Sequence, residues 1–384
     1  MADIRLIAGL LILLLIGCTP KKVRERTDFN SGWRFTLADD MGSFQPGYDD
    51  SQWRTLDLPH DWSIEGEFSE ANPATPGGGA LPGGIGWYRK SFALSPDGPG
   101  RHVYIEFDGV YRNSEVWING SYLGKRPYGY SSFRYELTPY LKYGEEKNVI
   151  AVRVDNSQQP NSRWYSGSGI YRNVWLVTTS DIAVDHWGTF VSTPEVTTEK
   201  AKIRIVTQVN SSAGTAKKVN IRTIVYDKED RKVAVSSDEN LVIDTLQTSV
   251  TQELGINDPH LWSVNDPYLY HIVTEVESEG RVKDRYMTAF GIRYFIFDSD
   301  KGFILNGEPV KIKGVCNHHD LGCLGAAINT RAIERQLEML KEMGCNAIRT
   351  SHNPPAPELL DLCDRMGFIV MDDAFDMWKI SKTK

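Results

Sequence analysis

The chain has 384 residues, with 43 lysines and arginines against 50 aspartates and glutamates, a formal net charge of −7. That balance leaves no basic surplus to neutralise phosphates, which argues against nucleic-acid binding. A hydrophobic fraction of 41% beside 24% charged residues excludes wholesale disorder and a multi-span membrane protein, and the length predicts two or three domains.

The first element is an address. Leu6–Ile16 is apolar, interrupted only by Ala8 and Gly9. It is too short for the roughly 20 residues that span a bilayer, and it matches the apolar core of a secretory signal. The run closes on Leu15-Ile16-Gly17-Cys18, the pattern of a lipoprotein signal in which Cys18 carries the lipid. The expectation is a membrane-anchored lipoprotein, periplasmic or at the cell surface, with residues 1–26 as signal and tether. The other cysteines, Cys316, Cys323, Cys345 and Cys363, have neither zinc-finger nor disulfide-scaffold spacing.

Residues 27–180 carry short alternating apolar runs, among them His102–Phe107, Ser114–Ile118, Asn148–Val154 and Val174–Val177. Period-two patterning in β-branched and aromatic residues predicts strands, and Asn119-Gly120 between two of them predicts a tight hairpin. A jelly-roll β-sandwich follows. Residues 181–297 repeat this grammar in Lys202–Val209, Val219–Tyr226 and Tyr268–Val276, which predicts an immunoglobulin-like sandwich acting as a spacer.

From residue 298 to 384 the grammar changes. Val310–Val315 reads as a strand. Asn329-Thr330 then opens a helix with apolar Ile333, Leu337, Leu340 and Met343, stopped by Gly344. Asn346–Thr350 is a second strand, Pro357 opens a second helix that stops at Gly367, and Phe368–Met371 is a third strand. This β-α-β-α-β order predicts parallel strands.

Several stretches, in order, resemble glycoside hydrolase family 2, the retaining enzymes that include β-galactosidases, β-glucuronidases and β-mannosidases. Leu58-Pro59-His60-Asp61-Trp62 and Gly86-Trp87-Tyr88-Arg89-Lys90 resemble the opening of its first sandwich. Phe107-Asp108-Gly109-Val110 and Trp117-Ile118-Asn119-Gly120 resemble its central hairpin. Trp164–Val174 resembles the loop sent toward the active site. Asn306-Gly307-Glu308-Pro309, Lys313-Gly314-Val315, His318-His319-Asp320 and Arg349–Pro355 resemble the first two barrel strands and their loops. The resemblance covers the chain from about residue 27 onward. It implies a jelly-roll sugar-binding domain, an immunoglobulin-like sandwich and the first three strands of a (β/α)8 barrel.

Side chains at the C-terminal ends of barrel strands converge on one mouth. The candidates for binding a β-linked glycoside are therefore His318 and Asp320 after the first strand, Arg349, His352 and Asn353 after the second, and Asp372 and Asp373 after the third. His319 is the weaker neighbour of His318. Arg349 has an alternative role as a structural ion pair with Asp372. Asn173 stands where the resemblance implies an aspartate reaching the sugar and a monovalent cation. Asp373 replaces the family's glutamate and shortens that carboxylate by about 1.5 Å. The resemblance also implies Mg²⁺ or Na⁺, and homo-oligomers, for a full-length enzyme.

Retaining glycosidases use two carboxyl groups about 5–5.5 Å apart. The family's acid/base glutamate follows an asparagine at the fourth strand and its nucleophile lies near the seventh, yet no Asn-Glu occurs after Gly307. Fewer than 90 residues follow the second sandwich, against about 250 for a whole barrel. The expectation is the N-terminal portion of an exo-acting glycosidase, with galactose, glucuronic acid and mannose as the order of preference for the sugar and without turnover by itself. The alternative is a non-catalytic carbohydrate-binding lipoprotein that stacks sugars on Trp164, Tyr165 and Tyr171.

Overall fold

The computed structural model describes residues 22–376 apart from 97, 99, 213 and 244–246, so the apolar run and the lipidation candidate Cys18 lie outside the described residues. The first sandwich packs a four-stranded antiparallel sheet, in the order Glu25–Asp28, Val174–Thr179, His102–Phe107, Phe133–Glu136, against a six-stranded one. Trp33, Phe35, Tyr88, Ile105, Phe107, Ile118, Ile150 and Val152 fill the space between them. Alternation sends Trp87 to the opposite face from Tyr88. There its ring stacks on Trp117 at 5.3 Å and joins a second aromatic cluster, so this sheet buries both faces. The hairpin forms at Asn119-Gly120 with φ of 51° and 85°, the two positive values that a type I′ turn requires.

The second sandwich has three strands in one sheet, Ile182–Val196, Lys200–Ser211 and Thr248–Asn257, and four in the other. Lys200–Ser211 buries alternate residues along its length, as its sequence pattern demands. Trp262 Nε1 donates to the Asp364 carbonyl at 2.8 Å and Lys341 Nζ to the Val264 carbonyl at 2.9 Å, tying this domain to the barrel helices.

Three parallel strands follow: Gly314–Asn317, Ala347–Thr350 and Ile369–Asp372. The first begins later than the Val310–Val315 reading. The Asn346 side chain binds the Lys313 amide at 2.8 Å and the Lys311 carbonyl at 3.0 Å, and the Asn346 amide donates to the Lys313 carbonyl at 2.9 Å, so one residue holds this segment where the regular ladder has not begun. The helix Thr330–Glu342 is capped by Asn329, which accepts from the Ala332 amide at 3.0 Å. Its apolar stripe ends at Leu340; Met343 is 74% exposed and does not belong to the core. Pairing runs Asn317↔Thr350↔Asp372, so the C-terminal ends of all three strands are flush.

The first sandwich meets these ends through buried ionic groups. Arg172 is 1% exposed, and its guanidinium donates to the carbonyls of Tyr130 (2.8 Å), Pro354 (2.8 Å) and Pro355 (3.1 Å). The Asp61 carboxylate accepts from the amides of Ser63 (3.0 Å), Ser168 (2.8 Å) and Ala326 (2.9 Å) and from the Tyr165 hydroxyl. Gly167 and Gly325 flank it at positive φ. A Cβ on either would lie 2.5–2.6 Å from Asp61 Oδ2, which explains why both positions are glycine.

A lysine cannot span the three carbonyls that Arg172 serves. Arg172→Lys is expected to destabilise the chain by about 3 kcal/mol, the scale of losing one or two hydrogen bonds to a buried charge. Urea unfolding checks it; a loss under about 1 kcal/mol would contradict the clamp.

Candidate active site

The flush strand ends bring four predicted residues together. Arg349 contacts Asp373 with both Nε (3.3 Å) and Nη2 (2.7 Å), and His352 Nδ1 lies 2.9 Å from Asp373 Oδ2. The ion pair thus forms with Asp373, not with Asp372: the register sets Arg349 opposite Met371 and Thr350 opposite Asp372, so Asp373 shares the face of Arg349 while Asp372 lies on the other and accepts from Thr350 Oγ1 at 2.8 Å. Burial opposes ionisation of Asp373, but its bonds to His352 and Arg349 outweigh burial and hold the carboxyl below the usual range. His318 is exposed beside His352, their ring centroids 6.1 Å apart.

Trp164, from the first sandwich, completes the group. Its ring stacks on His318 at 5.4 Å with a 16° interplanar angle and meets His352 edge-on at 5.7 Å. Trp164 Nε1 donates to the Tyr130 hydroxyl at 3.2 Å, which fixes the ring. Of the three aromatics proposed to stack on sugars, only Trp164 stands at the mouth. Tyr171 is fully buried, and the Tyr165 hydroxyl is spent on Asp61.

Asn353 is 3% exposed beneath the mouth, and its Nδ2 lacks a hydrogen-bond partner among the described residues. It borders a cavity of about 40 Å³ shared with His318 and Thr350. Asp320 is half-buried, within electrostatic reach of Tyr165. His319 turns inward: its Nε2 lies 3.1 Å from the Ser166 carbonyl, and its ring packs edge-on to Tyr130 and Tyr171. Burial, helped by the Arg172 charge, pushes its pKa down to about 3, so this imidazole is neutral and structural.

Sequence reasoning missed the roles of Asp61, Arg172 and Arg163. The last reaches from the first sandwich to pair with Asp376 beyond the third strand. Nothing local marks them: the partners of all three lie on elements remote in sequence.

No group of three or more His, Cys, Asp or Glu side chains among the described residues is arranged to hold a metal ion.

Two sandwiches followed by parallel strands with polar ends define a multidomain protein with the opening strands of an α/β barrel. Three family models match in series: "Glycosyl hydrolases family 2, sugar binding domain" over residues 28–180, "Glycosyl hydrolases family 2" over 186–293, and "Glycosyl hydrolases family 2, TIM barrel domain" over 298–378. The chain belongs to glycoside hydrolase family 2. Beta-galactosidase BoGH2A of Bacteroides ovatus is 58% identical over 94% of this chain and 42% of its own length. A putative beta-glucuronidase of Formosa agariphila is 41% identical over 96% of this chain and 35% of its own length. The crystal structure of a family 2 member from Bacteroides cellulosilyticus superimposes with a TM-score of 0.89 at 38% identity, covering 94% of this chain and 47% of that one. The chain thus spans less than half the length of these relatives.

One predicted site residue lies elsewhere. Asn173 donates to the Glu358 carboxylate of the second helix, and its own oxygen accepts from Asn30 Nδ2 at 3.0 Å. Both ends are used at the domain junction, apart from the strand-end cluster. Beside it, Asp108 is 1% exposed, with Oδ2 accepting from Trp175 Nε1 at 2.7 Å and Oδ1 without a hydrogen bond among the described residues. Burial raises its pKa from 3.8 to about 6; the Trp175 bond opposes this and the nearby Glu358 adds to it. The folded state thus holds this proton more tightly than the unfolded chain. Its contribution is complete below pH 4 and is lost as pH rises through about 6, on the order of 2–3 kcal/mol. Asp108→Asn is expected to stabilise the protein more at pH 7.5 than at pH 4.5 by that amount in urea unfolding. An equal effect at both values would contradict this reading.

Proposed function

We propose that this chain builds the glycone-binding wall of a retaining, exo-acting β-galactosidase-type glycosidase. The observation that carries the reading is the joint cluster of Trp164, His318, His352, Arg349 and Asp373. It offers one flat aromatic edge and a ring of donors and acceptors, which is what a pyranose with its scattered hydroxyls requires. The Arg349–Asp373–His352 chain fixes each side chain in one orientation, so hydroxyl recognition incurs little ordering cost. Galactose is preferred over glucuronic acid because the relative named a beta-galactosidase is the more similar, at 58% against 41% for the one named a putative beta-glucuronidase.

Hydrolysis with retention needs two carboxyls about 5–5.5 Å apart, one protonated and one free to attack. The third strand end does not supply them. Asp373 is neutralised by Arg349 and His352, and Asp372 is bound to Thr350. The chain's role in the reaction, on this reading, is binding and orientation of the sugar. Anchoring through a lipid on Cys18, at the outer face of a membrane, is part of the same proposal and rests on the Leu6–Cys18 pattern. Among the described residues no helix is long and apolar enough to cross a membrane.

The test is a calorimetric titration of the whole chain with methyl β-galactoside, beside an assay with 4-nitrophenyl β-galactoside. The expected outcome is binding without turnover. His352→Ala should weaken binding at least about tenfold, the scale of a lost hydrogen bond to a polar side chain, with unfolding unchanged. Turnover by this chain would refute the account of its carboxylates. Undiminished binding by the variant would refute the assignment of the site.

A further inference from the structure

A second cleft opens beside the strand-end cluster. It has a volume of about 180 Å³, and its lining includes Arg112, Tyr128, Trp164, His352 and Phe375, with the carboxylate of Asp376 neutralised by Arg163. His352 and Trp164 line the cleft and belong to the proposed sugar site, so the two adjoin. Its aromatic lining is open to solvent: Phe375 is 67% exposed and Tyr128 40%. The Tyr128 hydroxyl donates to the Ala374 carbonyl at 2.7 Å, and Arg163 pairs with Asp376. These two bonds hold the first sandwich against the segment after the third strand, so both sides of the cleft are fixed.

The cleft also carries a spare charge. Arg112 is half-buried in its wall, and its guanidinium has no carboxylate within ion-pair distance and no hydrogen-bond acceptor among the described residues. Most other arginines near the site are committed: Arg163 to Asp376, Arg349 to Asp373, Arg172 to backbone carbonyls. A partly desolvated guanidinium without a partner favours a planar anion that it can hold with two parallel hydrogen bonds. Exposed aromatic faces next to it favour the apolar face of a ring.

We propose that this cleft is the leaving-group subsite and that it takes a sugar carrying a carboxylate. The glycone lies among Trp164, His318 and His352; the next sugar runs across Tyr128 and Phe375, with its carboxylate on Arg112. The inference rests on the sugar-site reading above, and the experiment separates the two.

The whole chain is titrated with three probes: methyl β-galactoside, lactose, and the lactose counterpart whose glucose C6 is oxidised to a carboxylate. The acidic disaccharide is expected to bind about tenfold more tightly than lactose, the scale of one charge-assisted contact, and 0.5 M salt should compress that ratio. Arg112→Ala should bring the ratio to one while leaving methyl β-galactoside affinity and the melting temperature unchanged. Phe375→Ala should weaken both disaccharides alike and spare the monosaccharide. Binding of methyl β-galactoside without a preference for the acid, or a preference that survives Arg112→Ala, overturns the subsite alone. Failure of methyl β-galactoside to bind overturns the sugar-site reading beneath it.

Discussion

The Arg172 guanidinium and the Asp61 carboxylate hold the first sandwich against the barrel ends, and the loops that carry Trp164, His352 and Asn353 are anchored on them. Each is a buried charge whose partners are mostly backbone groups. The carbonyls of Pro354 and Pro355 receive from Arg172, directly after His352 and Asn353. Asp61 receives from Ala326 in the loop after the first barrel strand, and from Ser168, four residues beyond Trp164. A single pair of ionic side chains thus fixes both loops that build the mouth. Buried charges left without such partners would be strongly destabilising, so the sandwich cannot shift without exposing a cost of several kcal/mol.

This division of labour explains why the site can afford exposure. His318 and much of the Arg349–Asp373 pair face solvent, where ion pairs contribute little to stability. Their value is orientation: Asp373 is shared by Arg349 and His352, and Trp164 is braced by Tyr130. The stabilising interactions lie underneath, in the aromatic core of the first sandwich and at the Arg172 and Asp61 junctions.

Fold and domain order were legible because their signals are local and periodic. Alternation in Lys202–Val209, the Asn119-Gly120 turn, the Asn329 cap and the Gly344 and Gly367 stops each specify backbone geometry within a few residues. The convergence of His318, His352 and Asp373 was legible for a different reason: parallel strands with flush ends bring their following loops together by topology alone. What could not be read were the pairings. Asp372 and Asp373 are chemically equivalent neighbours, and the register that sets Thr350 opposite Asp372, which puts Asp373 on the face of Arg349, decides that Arg349 takes the second. Asn173 looked like a ligand because of its place in a motif, yet its partners, Asn30 and Glu358, are 143 and 185 residues away in sequence. Arg172 and Asp61 escaped notice for the same reason: a buried charge announces itself only when the domain opposite is known.

The account stands on one geometric claim, that the first sandwich and the barrel strands share a single sugar site. A crystal structure of the whole chain soaked with methyl β-galactoside tests it most directly. The sugar is expected at the mouth over Trp164 and the His352–Asp373 pair, with its hydroxyls in hydrogen-bond range of His318 or His352. A sugar seated on the sandwich away from Trp164, with the strand ends empty, would contradict it.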